Sequence, residues 1–267
     1  MSDERIGEGL VMNNVSVHYR NGGRIIKAVN DVSMHIVAGE VVGLVGESGC
    51  GKSTIAKAIC GLVPIHDGQI RYEGHEVMPL GFKKRPVPLQ RIQMVFQNPY
   101  ASLNPRRNIK AQLEDARTIN PGRAPSVEEL LDIVEIPRSA AQLYPHQFSG
   151  GQRQRIAIAR AMATGPSFLI GDEPIASLDA SLQAKIALLM KKVTSQSGAS
   201  MLFISHDLSV VRLIADRILV MHDGRIVESG PTETIWRHPS NSYTRTLLSA
   251  IPVPDGLGHI PHVNRHN

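Results

Sequence analysis

The sequence predicts an α/β fold built on a largely parallel sheet. Three observations point there. Segments of strand length alternate with segments of helical periodicity. Several strand candidates, Val41-Val42-Gly43-Leu44-Val45 among them, are continuous apolar runs, the pattern of strands buried on both faces. The 267 residues are 42% apolar and 20% charged, a globular composition, in a chain long enough to bury a core without disulfides.

The elements follow in order. Residues 10–19 and 25–37 read as two strands, and the turn Asn21-Gly22-Gly23 between them predicts a hairpin. The buried strand 41–45 leads into a glycine-rich loop and a helix from about Lys52 to Cys60. Strands are expected at 69–72 and 92–96. The stretch 98–150 changes character, with six prolines and short helical pieces such as 126–135, and reads as an inserted, mostly helical subdomain. A helix starts near Gln152. Strand 168–171, helix 180–195, strand 201–204 and helix 208–215 follow. Two strands at 217–221 and 225–229 flank Asp223-Gly224. The tail from 231 carries two short helical segments and a Pro/Gly/His-rich end read as loose.

Charge and cysteine content narrow the classes. The net charge of +5 suits phosphate, nucleic acid or an anionic surface and selects none of them. Aromatics at 4% argue against a stacking single-strand binder, and Lys83-Lys84-Arg85 reads as a solvated loop. Two cysteines, Cys50 and Cys60, make no disulfide framework and no CxxC pair, so reduced thiols in the cytosol are expected. No apolar run approaches the roughly 20 residues of a membrane span, and the start lacks a signal-peptide pattern.

Gly46-Glu47-Ser48-Gly49-Cys50-Gly51-Lys52-Ser53 fits the phosphate-loop pattern, with a strand before it and a helix after. Glycines let backbone N–H groups turn inward around phosphates, and the helix N-terminus adds its dipole. Lys52 would reach the β- and γ-phosphates and Ser53 would hold Mg²⁺. Downstream, Phe168-Leu169-Ile170-Gly171 ends in Asp172-Glu173. Asp172 is placed to hold Mg²⁺. Glu173, expected to point elsewhere as its strand neighbour, is the candidate general base.

Four more segments fall in a telling order: Gln97 after a strand, Phe148-Ser149-Gly150-Gly151-Gln152 opening a helix, Ser177-Leu178-Asp179 after the acids, and Ser205-His206-Asp207 after a strand. With the phosphate loop they resemble the nucleotide-binding subunit of ABC transporters, from roughly Leu10 to Pro252. Phe148 stands where the family usually has Leu. The resemblance implies a P-loop NTPase of ABC type: a RecA-like core (about 1–97 and 161–230), an N-terminal antiparallel sheet, a helical subdomain (about 98–160) and an extension (231–267). It implies ATP as substrate, with Mg²⁺. Tyr19 would stack on adenine, and Gly46 to Thr54 would hold the phosphates. Gln97 would touch Mg²⁺ and sense a membrane partner, and His206 would contact the γ-phosphate. Ser149, Gly150, Gly151, Gln152 and Asp179 would act in trans, on nucleotide bound by a second cassette. Arg153, Arg155 and Arg160 read either as a solvated helix face or as favouring that interface.

Within the family, Gln97-Asn98-Pro99-Tyr100-Ala101-Ser102-Leu103-Asn104-Pro105-Arg106, Asp179-Ala180-Ser181-Leu182-Gln183 and the tail from His238 to Pro252 are similar to the peptide-importer branch. This implies an ATPase that powers uptake of di- and oligopeptides. A nickel or other small-solute importer is the alternative, and a non-transport ABC ATPase ranks behind it. Implied partners are a second, different cassette, two integral-membrane permeases and, through them, an extracytoplasmic solute-binding protein, with no nucleic acid. The implied location is peripheral, on the cytoplasmic face of the inner membrane. No Cys follows Cys60, so no iron–sulfur cluster is expected in the tail. His259, His262 and His266 read as a frayed end in preference to a metal site.

Overall fold

The computed structural model describes residues 9–82, 84–98, 102–120, 122–176 and 178–251. Strands β1 (Gly9–Asn21) and β2 (Arg24–Val37) form the expected hairpin, closed in register between Asn21 and Arg24. Gly22 and Gly23 both take positive φ, 54° and 82°, as a two-residue hairpin turn with the right twist requires. With β4 (Asp67–Tyr72) and β5 (His75–Glu76) they make an antiparallel sheet in the order β2-β1-β4-β5.

The second sheet runs β10-β9-β3-β8-β7-β6. It contains β3 (Val41–Val45), β6 (Ile92–Phe96), β7 (Phe168–Asp172), β8 (Ser200–Ser205) and β9 (Arg217–His222), all parallel, with β10 (Arg225–Pro231) antiparallel at one edge. Every residue of β3, β7 and β8 is buried, because both faces of the sheet are covered. Strand alternation divides the core. Val42 and Leu44 pack with β1, β2 and helix α1 (Lys52–Ile59). Val41 and Val45 face α6 (Ala180–Ser197), α7 (Leu208–Ile214) and the helical segment.

That segment carries short helical pieces, as the sequence suggested. Besides α4 (Val127–Ile133), started by a Ser126/Glu129 capping box, it contains α3 (Ile109–Arg117) and 3₁₀ turns at Arg138–Gln142 and Pro145–Gln147. A short α2 (Val87–Gln90) precedes β6. Helix α5 begins at Gly150, two residues before the expected start, and runs to Met162. The tail supplies α8 (Thr232–Arg237) and α9 (Ser242–Ser249). Pro99, Tyr100, Ala101, Lys83, Ser177 and the tail histidines lie outside the described residues.

Two surface readings need correction. Arg85 is not a solvated loop cation: it donates to the Cys60 carbonyl (3.0 Å), and burial lowers its guanidinium below the ordinary value. The three arginines of α5 are not simply a solvated face, although Arg160 is exposed. Arg153 donates to the Pro145 carbonyl, Arg155 to those of Val134 and Glu135, and Arg160 to that of Ser102, so they brace the helix against neighbouring loops.

Candidate active site

Parallel strands deliver their carboxyl ends to one edge of a sheet, and ligands of open α/β sheets bind there. Here β3 ends in the glycine loop, β7 in Asp172, β8 in Ser205 and β6 just before Gln97. The register sets them level: Val45 pairs with Ser205, and Asp172 pairs with both Ile204 and Phe96.

The loop is shaped by its glycines. Gly46, Gly49 and Gly51 have φ of 152°, 84° and 112°. A Cβ on Gly51 would collide with the Ala28 carbonyl, and one on Gly46 with that of Met221. The loop therefore lies directly on the neighbouring backbone. Lys52 is 3% exposed, and its ammonium turns back to donate to the carbonyls of Gly46 (2.8 Å) and Glu47 (2.7 Å), which fixes the charge at the loop's centre. No side chain caps α1, whereas α3, α5, α6 and α9 are each capped by Asn108, Ser149, Asp179 and Asn241. An uncapped N-terminus leaves donors and a positive dipole end for an anion.

Both acids serve this loop. Ser53 Oγ donates to Asp172 Oδ1 at 2.8 Å. Burial pushes the Asp172 carboxyl above its ordinary value, against the pull of that hydrogen bond. Glu173 does not follow strand alternation as the sequence reading assumed. It lies past the end of β7 with φ 46°, and its N–H donates to the Ile204 carbonyl (3.1 Å). That left-handed turn brings its carboxylate to the same loop, 3.9 Å from Lys52 Nζ and 3.5 Å from His206 Nδ1.

A cavity of about 260 Å³ is lined by Ala28, Ser48, Gly49, Gly51, Lys52, Ser53, Thr54, Gln97 and Glu173. Tyr19 stands beside it, its hydroxyl 3.5 Å from Thr54 Oγ1. A larger cavity, about 540 Å³, is lined by Glu135, Arg155, Leu182, Lys185 and neighbours. It has no glycine loop and no paired acids, so the smaller one is the candidate phosphate site.

Ser149 to Gln152 and Asp179 do not line that smaller cavity. Ser149 Oγ accepts from the Gln152 N–H (3.3 Å), while Gln152 Oε1 accepts from the Ser149 N–H (2.9 Å). The serine hydroxyl keeps its own proton to donate. Gly150 faces open space, whereas a Cβ on Gly151 would run into Leu182 of α6. Asp179 caps α6 through the Leu182 N–H (3.0 Å).

Sequence reasoning missed Ala28, which joins the cavity wall through backbone contact, and Tyr243. The Tyr243 hydroxyl accepts from the Glu47 N–H at 3.1 Å. Only proximity in the fold reveals that pair, which is 196 residues apart in the chain.

Phosphate chemistry on the carboxyl rim of such a sheet defines a P-loop nucleoside triphosphatase, and the ABC transporter family model matches residues 29–176. The chain belongs to the ABC transporter family; it is an ATP-binding cassette and an ATPase. It is 44% identical over 253 residues to the oligopeptide transport ATP-binding protein OppF of Bacillus subtilis, covering 92% of this chain and 83% of that protein. It is 47% identical over 249 residues to OppF of Streptococcus mutans (91% and 81% covered). A putative peptide import ATP-binding protein of Brucella ovis is 42% identical over 252 residues (92% and 79%). Among solved structures, the dimeric post-hydrolysis state of the ATP-binding cassette MJ0796 bound to ADP and Pi superposes with a TM-score of 0.72 at 30% identity. It covers 84% of this chain and 98% of that one.

Proposed function

We propose that this chain is the ATP-hydrolysing subunit of an importer that carries di- and oligopeptides across the cytoplasmic membrane. The hydrolytic part rests on one observation above the others: Glu173 is held between Lys52 and His206 beside the phosphate loop. The cargo rests on the peptide-transport names of relatives that match nine tenths of the chain.

In this reading the loop Gly46 to Thr54 cradles the triphosphate of ATP through its inward-facing N–H groups, and Lys52 offsets its charge. Tyr19 offers a π face to adenine. The hydroxyl of Ser53 and the carboxylate of Asp172, with Gln97, form an all-oxygen donor set suited to a hard cation, and the buried Asp172 charge favours one. These residues would hold Mg²⁺, which supplies charge neutralisation at the β- and γ-oxygens. Glu173 orients water for in-line attack and takes its proton, and His206 positions the γ-phosphate. Ser149, Gly150, Gly151, Gln152 and Asp179 belong to the opposite site of a cassette pair. Gly150, open to its surroundings at an N-terminus, suits that role.

The partners we propose are a second, non-identical cassette, two integral-membrane permeases and, through them, a solute-binding protein. No described helix is long and apolar enough to cross a membrane, and we place the chain peripherally on the cytoplasmic face. A groove of about 200 Å³ between β6 and the helical segment, edged by exposed Phe96 and Ile119 and lined also by Gln93, Asp115 and Arg160, offers the permeases a seat of mixed polarity; we read residues 98–160 as the helical subdomain that carries most of its far wall. The test is mild-detergent affinity purification of the chain from its native membrane. Two permeases, a second cassette and a peptide-binding protein are the expected companions. A metal-binding protein would redirect the cargo to nickel. Recovery with ribosomal or DNA-repair proteins would remove transport altogether.

A further inference from the structure

We propose that Tyr243, on helix α9, is a positioning residue that orders the phosphate loop before ATP arrives. This rests on the reading of Gly46–Thr54 as the triphosphate site.

The outer turn of the loop, Glu47 to Gly49, is exposed, and its flanking glycines favour many conformations. Two hydrogen bonds from elsewhere in the chain hold it. The Gly224 N–H donates to the Cys50 carbonyl (3.0 Å), and the Glu47 N–H donates to the Tyr243 hydroxyl (3.1 Å). The same peptide turns its other side inward: its carbonyl, that of Gly46, accepts from Lys52, as does the Glu47 carbonyl. Tyr243 thus fixes from outside the residue that Lys52 grips from inside.

The tyrosine is itself held. Its ring stacks on His222, with centroids 3.9 Å apart and planes at 29°, and His222 lies two residues before Gly224. Both outside supports therefore meet at the end of β9. The start of α9 is anchored on the Glu228 carboxylate, which accepts from Ser240 N–H (2.7 Å), Ser240 Oγ (2.8 Å) and Asn241 N–H (3.2 Å). Asn241 in turn caps the Tyr243 N–H (2.9 Å). A hydroxyl fixed this way removes freedom that the empty loop would otherwise lose on binding.

The test uses the purified full-length chain, with ATP and Mg²⁺ as the probe. Tyr243→Phe keeps the ring and removes the hydroxyl. ATP affinity is expected to weaken about three- to tenfold, the net worth of one hydrogen bond. Turnover at saturating ATP should stay within about twofold and the melting temperature within about 2 °C, because bound triphosphate orders the loop itself. Hydrogen exchange across residues 46–51 should quicken without ATP and match wild type with it. Unchanged affinity and exchange would overturn the proposal, as would a melting point lowered by several degrees with affinity intact. Lys52→Ala separates the two readings. If it binds ATP like wild type, the triphosphate site is misplaced; if it loses binding while Tyr243→Phe does not, only the role of Tyr243 falls.

Discussion

Glu173 Oε2 lies 3.5 Å from Nδ1 of His206. The contact joins the loops after two adjacent parallel strands, β7 and β8. Each strand ends where its neighbour ends, so the residue just past each meets the other. The pair depends on the left-handed backbone of Glu173, a conformation that costs a non-glycine residue about 1–2 kcal/mol. Such strain concentrates at working sites, where the surrounding structure enforces it.

Glu173→Gln keeps the shape but removes the base and the negative charge facing Lys52 and His206. ATP turnover should fall by at least about 100-fold, within the range of a lost general base, while ATP binding persists. The trapped state should appear as a nucleotide-bound dimer in size-exclusion chromatography. Near-full turnover in this variant would remove Glu173 from the chemistry.

Gly51→Ala should abolish tight ATP binding. Its φ of 112° is closed to alanine, and the added carbon meets the Ala28 carbonyl, which cannot move without β2. Calorimetric titration with ATP checks this. Gly150→Ala, where nothing crowds the position, should leave the chain's own ATP affinity unchanged.

Cys50 sits in the phosphate loop, yet its thiol is half-buried, and burial raises it above the ordinary value. Only the thiolate reacts, so alkylation should be slow at pH 7 and speed up as pH rises towards 9. Burial pushes Cys60 up to about 12, so it should label later still. Mass spectrometry of iodoacetamide-treated protein should find Cys50 modified first, with ATP slowing it. Modification of Cys60 ahead of Cys50 would contradict these environments.

Burial alone would raise the Glu228 carboxyl, but the hydrogen bonds it accepts from Ser240 and Asn241 help hold it below the ordinary value of 4.5. A depressed carboxyl contributes stability above its unfolded pKa and loses it as pH falls through the folded one. Glu228→Gln should therefore melt below wild type at pH 7. The gap should narrow once pH drops below about 4.5. A gap independent of pH would assign the loss to packing.

What the sequence disclosed was whatever is contiguous. The phosphate loop lies within eight residues, and its strand and helix flank it directly. The two acids were visible for the same reason. The direction of Glu173 was not, because a backbone turn overrides alternation one residue past a strand. Helix α3 was obscured because its buried face includes Gln112, which dilutes the apolar period. The arginines of α5 looked free because their partners are carbonyls of distant loops, which no side-chain pattern encodes. Tyr243 was legible only as part of a tail.

The close approach of Gly151 to Leu182 has a mechanical consequence. It locks the start of α5 against the start of α6, so the serine that opens one helix and Asp179 that opens the other travel as one piece. A cassette built this way presents two fingers on a single knuckle. A displacement of the helical segment reaches both ends at once.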